Sequence, residues 1–303
     1  MKRRSFVKTS ALGGTALTLG ALGLHSCASP AKKHLTILHT NDVHSHIDPF
    51  PSGHHRFPNL GGVSRRASLI GAIRQENPNT LVLDAGDIFQ GTPYFNFYGG
   101  ELEFKLMNKM GYRASTLGNH DFDNGLSGLL AQLPNAEFSF LCANYDFTQT
   151  VLDGYIRPYE VYVMDGIRVG VFGLGIQLKG LVLDELYGET KYLDPVEIGQ
   201  DMARILREEE RCDLVVCLSH LGYTYSDPAR MSDRVLAAGT DQIDLIIGGH
   251  THTFMEKAEI AANRSGEPVL IQQVGCYGVN LGRVDFYFHP DGRKDSESVS
   301  ISV

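Results

Sequence analysis

Five short apolar runs in this chain each end in a string carrying Asp, Asn or His, and that repetition limits what the chain can fold into. Leu35–His39 is followed by T-N-D-V-H, with Asp42 and His44. Thr80–Asp84 is followed by A-G-D, with Asp87. Ala114–Leu117 is followed by G-N-H-D, with Asn119, His120 and Asp121. Leu214–Leu218 leads into S-H, with His220, and Leu245–Ile247 into G-G-H-T-H, with His250 and His252. Apolar β-rich runs of this length read as strands, and open α/β sheets bind ligands beyond the carboxyl ends of their strands. Five ends that are distant in sequence are therefore expected to meet at one site.

The segments between these runs complete the pattern. Val63–Gln75, Glu101–Met110, Leu126–Leu133 and Pro195–Arg211 read as helices, the last with Asp194 as cap and Pro195 in its first turn. Phe138–Ala143, Pro268–Val274 and Arg283–Phe288 read as further strands. Tyr159–Met164 and Ile167–Phe172 flank Asp165-Gly166, a strong hairpin signal. The segment HPDGRKDSESVS is expected to be a polar tail. Alternating strands and helices with added hairpins imply an α/β protein with mixed sheets.

The donors fit a pair of cations. Imidazole nitrogen, carboxylate oxygen and amide oxygen, with no thiolate, suit two divalent metal ions of the Zn, Mn or Fe type. Asp42 and His44 are two apart, as are His250 and His252, and on an extended strand each pair would point to one side. A carboxylate such as Asp87 can bridge cations about 3.5–4 Å apart. Gly86, Gly118, Gly248 and Gly249 flank the donors and allow sharp turns and close approach.

Charge narrows the function further. The 303 residues hold 27 Lys and Arg against 35 Asp and Glu, for a net charge of −8. Lys2, Arg3, Arg4 and Lys8 lie in the opening segment, so the body is more acidic still. Nucleic-acid affinity rests on clustered cations, so binding to a nucleic-acid polymer is not expected. No P-loop and no G-x-S-x-G string occurs.

The N-terminus reads as an address. A basic opening precedes the uncharged run Ala11–Leu24, which is shorter than the ~20 residues needed to cross a bilayer. Arg3-Arg4-Ser5-Phe6-Val7-Lys8 resembles a twin-arginine export motif, and Leu24-His25-Ser26-Cys27 a bacterial lipobox. Residues 1–26 are thus expected to be a signal peptide and 27–34 a tether. The protein is expected to be exported, periplasmic or at the cell surface, and anchored through a lipidated Cys27. Cys142, Cys212, Cys217 and Cys276 read as buried thiols. His46, His54 and His55 fall in a Pro/Gly-punctuated loop that could line the site mouth but is expected to be solvated, and Glu208–Glu210 are expected to be a solvated helix end. Tyr94 and Asn96 are candidates for substrate contact.

The ordered set D-x-H, G-D, G-N-H-D, S-H, G-G-H-T-H resembles the binuclear metallophosphoesterases of the calcineurin-like superfamily, closest to the catalytic domain of the 5′-nucleotidase family. ILHTNDVHSH, GDIFQGT and GNHDFDNG are its most specific strings, and the resemblance runs from about Leu35 to about Phe288. It implies a four-layer α-β-β-α sandwich of two mixed sheets flanked by helices, over residues 35–303. It implies one metal held by Asp42, His44, Asp87 and His252, and another by Asp87, Asn119, His220 and His250. It implies a catalytic pair of His120 and Asp123, although Asn124 stands where many relatives carry Tyr. The implied activity is hydrolysis of phosphomonoesters, nucleotides foremost. The alternatives are a 2′,3′-cyclic-nucleotide or nucleotide-sugar phosphodiesterase, or a thiosulfohydrolase-like enzyme. Full-length 5′-nucleotidases add a C-terminal domain that recognises the substrate, and this chain is expected to lack it. The resemblance therefore also allows a catalytic subunit completed by a separate substrate-binding chain.

Overall fold

The computed structural model describes residues 32–303. The expected signal peptide, the lipobox Cys27 and most of the tether lie outside the described residues. The strands are β1 (Lys33–Thr40), β2 (Thr80–Asp84), β3 (Ala114–Ser115), β4 (Ser139–Phe140), β5 (Tyr145–Asp146), β6 (Tyr159–Met164) and β7 (Ile167–Leu174). They continue as β8 (Lys191–Tyr192), β9 (Leu214–Ser219), β10 (Leu245–Gly248), β11 (Glu259–Ala262), β12 (Pro268–Gln272), β13 (Asn280–Phe288) and β14 (Lys294–Ser302). The helices are α1 (Val63–Glu76), α2 (Pro93–Tyr98), α3 (Glu101–Met110), α4 (Gly125–Gln132), α5 (Asp184–Tyr187), α6 (Pro195–Arg204) and α7 (Asp233–Gly239).

Two six-stranded sheets carry the molecule, in the orders β14-β13-β1-β2-β3-β4 and β11-β12-β10-β9-β7-β6. The runs β1-β2-β3-β4 and β7-β9-β10-β12 are parallel, while β13, β14, β6 and β11 are antiparallel additions. Alternation decides which side chain enters which layer. Leu35 and Ile37 of β1 and Leu81 and Leu83 of β2 meet Val169, Val171, Val216 and Ile247 between the sheets. Leu38 and Val82 point the other way, into α1 and α3. Phe172, Val215, Cys217 and Ile246 pack outward against Ala203 of α6 and Leu236 of α7. Three apolar interfaces separate four layers, α-β-β-α, as expected. Among the described residues no helix is long and apolar enough to cross a membrane.

Several expectations need correction. The polar tail is a strand: β14 pairs with β13 from Lys294↔Phe288 to Ser302↔Asn280. An edge strand with one solvated face needs no apolar run, so its composition hides it. Tether residues Lys33 and His34 belong to β1, paired with Phe288 and Tyr287. The strands expected at 114–117 and 138–143 keep only two paired residues each: after β3 the chain turns into the Asn119 loop, and after β4 the Cys142 and Ala143 N–H groups donate instead to the Arg157 and Gly173 carbonyls. The strand expected at 268–274 stops at Gln272, and the helix expected at 195–211 is α-helical only to Arg204 before a π-turn over Ile205–Glu209. Asp194 does cap α6, accepting from the Val196 and Glu197 N–H groups, with Pro195 at its start.

Candidate metal centre

The loops after β1, β2, β3, β9 and β10 converge at one end of the two sheets. The first two run side by side: the Asp42 N–H donates to the Gly86 carbonyl at 2.9 Å and the His44 N–H to the Asp87 carbonyl at 3.0 Å. The expected extended geometry is absent. Asp42, His44, Asp87, His250 and His252 all have left-handed backbones, with φ of 51°, 50°, 55°, 71° and 50°. Such residues cost on the order of 1–3 kcal/mol each and gather at functional sites. Asp and His tolerate the region better than β-branched residues. Local turns, not strand alternation, aim these side chains.

Two donor groups result: Asp42, His44 and His252, and Asp87, His220 and His250. In the first, the His44 and His252 Nε2 atoms lie 3.0 Å apart, and His252 Nε2 is 3.3 Å from Asp42 Oδ1. In the second, His220 Nε2 is 3.1 Å from Asp87 Oδ2, and the Asn119 side-chain oxygen is 2.8 Å from His250 Nδ1. Asp87 Oδ2 also stands 3.9 Å from His44 Nε2, so this carboxylate lies between the groups. All seven residues expected from the sequence are brought together.

The surrounding residues fix the donors. His220 Nδ1 is 2.7 Å from the Ala85 carbonyl and His44 Nδ1 3.2 Å from that of Phe89. Each contact directs a proton to Nδ1 and leaves Nε2 as the donor atom. The buried Asp121 carboxylate accepts N–H bonds from Asp87, Ile88, Phe89 and Gly118, and so locks the second loop to the third. Asn41 donates to Asp42 Oδ2 at 2.6 Å and to the Gly275 carbonyl. Sequence reasoning noted Asp121 without a role and missed Asn41. Adjacency to Asn119 and Asp42 was the only signal for either.

The electrostatics test whether cations fit. Burial opposes charge on His220, but Asp87 beside it prevails and lifts the imidazole to about 10. Burial likewise opposes charge on His252, and its hydrogen bond to Asp42 lifts it to about 10. His250 falls to about 4 through burial and the neighbouring His220 charge. Burial resists ionisation of Asp87, yet His220 holds its carboxyl well below the usual range. His220 Nε2 is fully buried without a hydrogen-bonded partner. Close-set imidazoles, two carboxylates and an amide oxygen fit two divalent cations, which would take the place of the protons held on the imidazoles.

His120 stands beside the donors rather than among them. Its ring is 5.3 Å from that of His44, edge-on, and its N–H donates to Asp87 Oδ1 at 2.8 Å. Asp123 Oδ2 lies 3.0 Å from His120 Nδ1. That hydrogen bond raises the His120 pKa against the effect of burial. No side chain caps α4, so Asp123 serves His120 and not the helix.

The other candidates are placed plainly. Asn96 is exposed, and the Tyr94 hydroxyl donates to Asp48 at 2.8 Å. Cys142, Cys212, Cys217 and Cys276 are free and buried. Glu210 is half-buried rather than solvated, accepting from the Tyr159 hydroxyl at 3.1 Å. His46 and His54 are half-buried among aromatic rings, and only His55 of the three is exposed.

The fold and donor set are of the metallophosphoesterase type. The chain belongs to the calcineurin-like phosphoesterase family, whose model matches residues 35–254. It is similar to the trifunctional nucleotide phosphoesterase protein YfkN of Bacillus subtilis, 34% identical, covering 89% of this chain and 19% of that protein. It is similar to the snake venom 5′-nucleotidase of Crotalus adamanteus, 34% identical, covering 85% of this chain and 46% of that enzyme. The crystal structure of a 5′-nucleotidase precursor from Thermus thermophilus superposes with a TM-score of 0.80 at 32% identity, covering 89% of this chain and 55% of that one. The chain thus spans about half, or less, of the length of these relatives.

Proposed function

We propose that this chain is an exported dinuclear-metal phosphoesterase that hydrolyses phosphomonoesters, with nucleotides as its substrates. The observation that carries the proposal is Asp87, a member of one three-residue donor group whose Oδ2 stands 3.9 Å from His44 of the other, while His120 and Asp123 stand beside them. Asp42, His44, Asp87 and His252 would hold one cation, and Asp87, Asn119, His220 and His250 the other. When bound, such a pair neutralises phosphoryl charge and lowers the pKa of water toward about 7. The protein's own contribution starts at His120. With Nδ1 engaged by Asp123, Nε2 is the atom left for the substrate. A proton there stabilises charge on the phosphoryl oxygens and passes to the leaving oxygen. Asp123 keeps the ring in that tautomer and supports its charge.

Substitution with metal analysis and a substrate panel tests this. His120→Ala is expected to retain both ions and to lose about 10²-fold or more in turnover. Asp87→Ala is expected to lose at least one ion. AMP, 2′,3′-cyclic AMP, UDP-glucose and bis-p-nitrophenyl phosphate separate monoesterase from diesterase. Preference for the diesters would overturn the monoester reading in favour of the second one, cyclic-nucleotide or nucleotide-sugar hydrolysis. That second reading draws support from the relative named as a trifunctional nucleotide phosphoesterase. Export and anchoring rest on the twin-arginine-like and lipobox strings, and a relative from venom supports export. Mass spectrometry of the mature N-terminus would reveal an acylated Cys27 or its absence.

A further inference from the structure

The loop between β1 and α1 is long, and it is not loose. The Val63 N–H donates to the Ile47 carbonyl at 2.9 Å, the Phe50 N–H to Leu60 at 2.8 Å, and the Gly61 N–H to Val303 at 2.8 Å. The Phe57 N–H donates to His54 Nδ1 at 2.9 Å, which sets the tip. Compact loops with their own packing are frequently functional.

A continuous row of rings runs from the metal centre onto this loop. Tyr277 starts it, with its ring 5.9 Å from those of both His44 and His252. Its N–H donates to the Asp42 carbonyl at 2.7 Å, from a left-handed backbone with φ of 61°. His46 lies 4.3 Å from Tyr277, Phe50 lies 5.0 Å from His46, and His54 lies 4.4 Å from Phe50. Phe57 stacks on Phe254 at 5.7 Å, and the exposed Arg56 lies over both. Tyr277, His46, Phe50 and His54 are half-buried, so each keeps part of its ring in solvent beside the donor loops.

We propose that this aromatic row is the base-recognition surface of the site, on which the planar ring of a nucleoside leaving group stacks while its phosphate meets the metal donors. The row begins at rings that flank the donors, and a nucleobase stands one sugar away from its phosphate. Aromatic rings accept any base, because every base has a flat π-face. The inference rests on the nucleotide reading above and adds that this chain carries its own base contact.

Equilibrium dialysis of adenosine against ribose tests the surface without any turnover. The intact chain should retain adenosine and not ribose. Phe50→Leu keeps the apolar volume and loses the ring, and should weaken adenosine retention on the order of tenfold. Phe50→Tyr keeps the ring and should restore it. In turnover, Phe50→Leu should raise KM for AMP by a similar factor and leave kcat and the KM for glycerol phosphate unchanged. Equal retention of adenosine and ribose, or equal KM changes for both esters, would overturn the inference. Retention of adenosine by a chain that hydrolyses no phosphoester would sink the nucleotidase reading and leave the stacking surface standing.

Discussion

His120 is held by two contacts that one substitution can separate. Its backbone N–H ties it to Asp87, and its ring nitrogen to Asp123. Asp123→Asn keeps the shape and removes the charge. The Asp123 hydrogen bond raises the His120 pKa, so its loss should lower that pKa. A reaction needing the protonated ring then fails at a lower pH. The alkaline limb of the kcat profile should therefore shift toward acid. An unmoved limb would show that Asp123 does not set the proton on His120.

Asp121 is a different kind of residue, since it touches no donor side chain in either group. Burial and the neighbouring Asp87 charge push its pKa up to about 7, although it accepts four N–H bonds. Asp121→Ala leaves those N–H groups without an acceptor. At about 1–3 kcal/mol for each unsatisfied buried group, the loss should be at least 3 kcal/mol. Urea unfolding of metal-free protein checks this without interference from the ions.

At the scale of elements, the loop leaving β3 must pass very close to the loop leaving β2. A Cβ on Gly118 would lie 2.1 Å from Asp87 Oδ1, and its nearest other contacts include the Asp87 backbone nitrogen at 2.6 Å. Gly118→Ala should therefore displace Asp87. The expected result is about one ion per chain by elemental analysis instead of two, with β1 and β2 still folded by circular dichroism.

The legibility of the elements follows the same physics. The donors were readable because each follows a run of buried apolar residues, such as Leu214–Leu218 or Leu245–Ile247. The backbone that aims them was not readable, since D-x-H has the same spelling in an extended strand and in a left-handed turn. β14 was missed because Lys294, Asp295, Ser296 and Glu297 are exposed at the sheet edge and carry no alternation. The Phe50 loop reads as solvated because Pro, Gly and His dominate it. Its packing depends on Tyr277 and Phe254, more than 190 positions further along.

At the scale of the whole molecule, the donors come from both sheets. Asp42, His44, Asp87 and Asn119 follow strands of the first sheet, and His220, His250 and His252 follow strands of the second. Cations held across these loops would therefore cross-link the sandwich. Ligand binding to the folded state alone stabilises it by about 2.7 kcal/mol at a concentration one hundred times the Kd. A chelator should lower Tm, and Zn²⁺ or Mn²⁺ should restore it.

The direction of the pH dependence follows from the protons at the same loops. His220 and His252 have raised values of about 10 in the metal-free fold, against 6.5 for an ordinary imidazole. Their contribution to metal-free stability is full below about 6.5 and is lost as pH rises through about 10. Metal loading needs both rings neutral, so each cation competes with a proton throughout that window. At pH 8 loading should release about two protons from these histidines, and apparent affinity should rise steeply with pH up to about 10. Calorimetric titration with Zn²⁺ in two buffers of different ionisation enthalpy counts the protons. A count near zero would mean that both histidines are neutral before metal arrives.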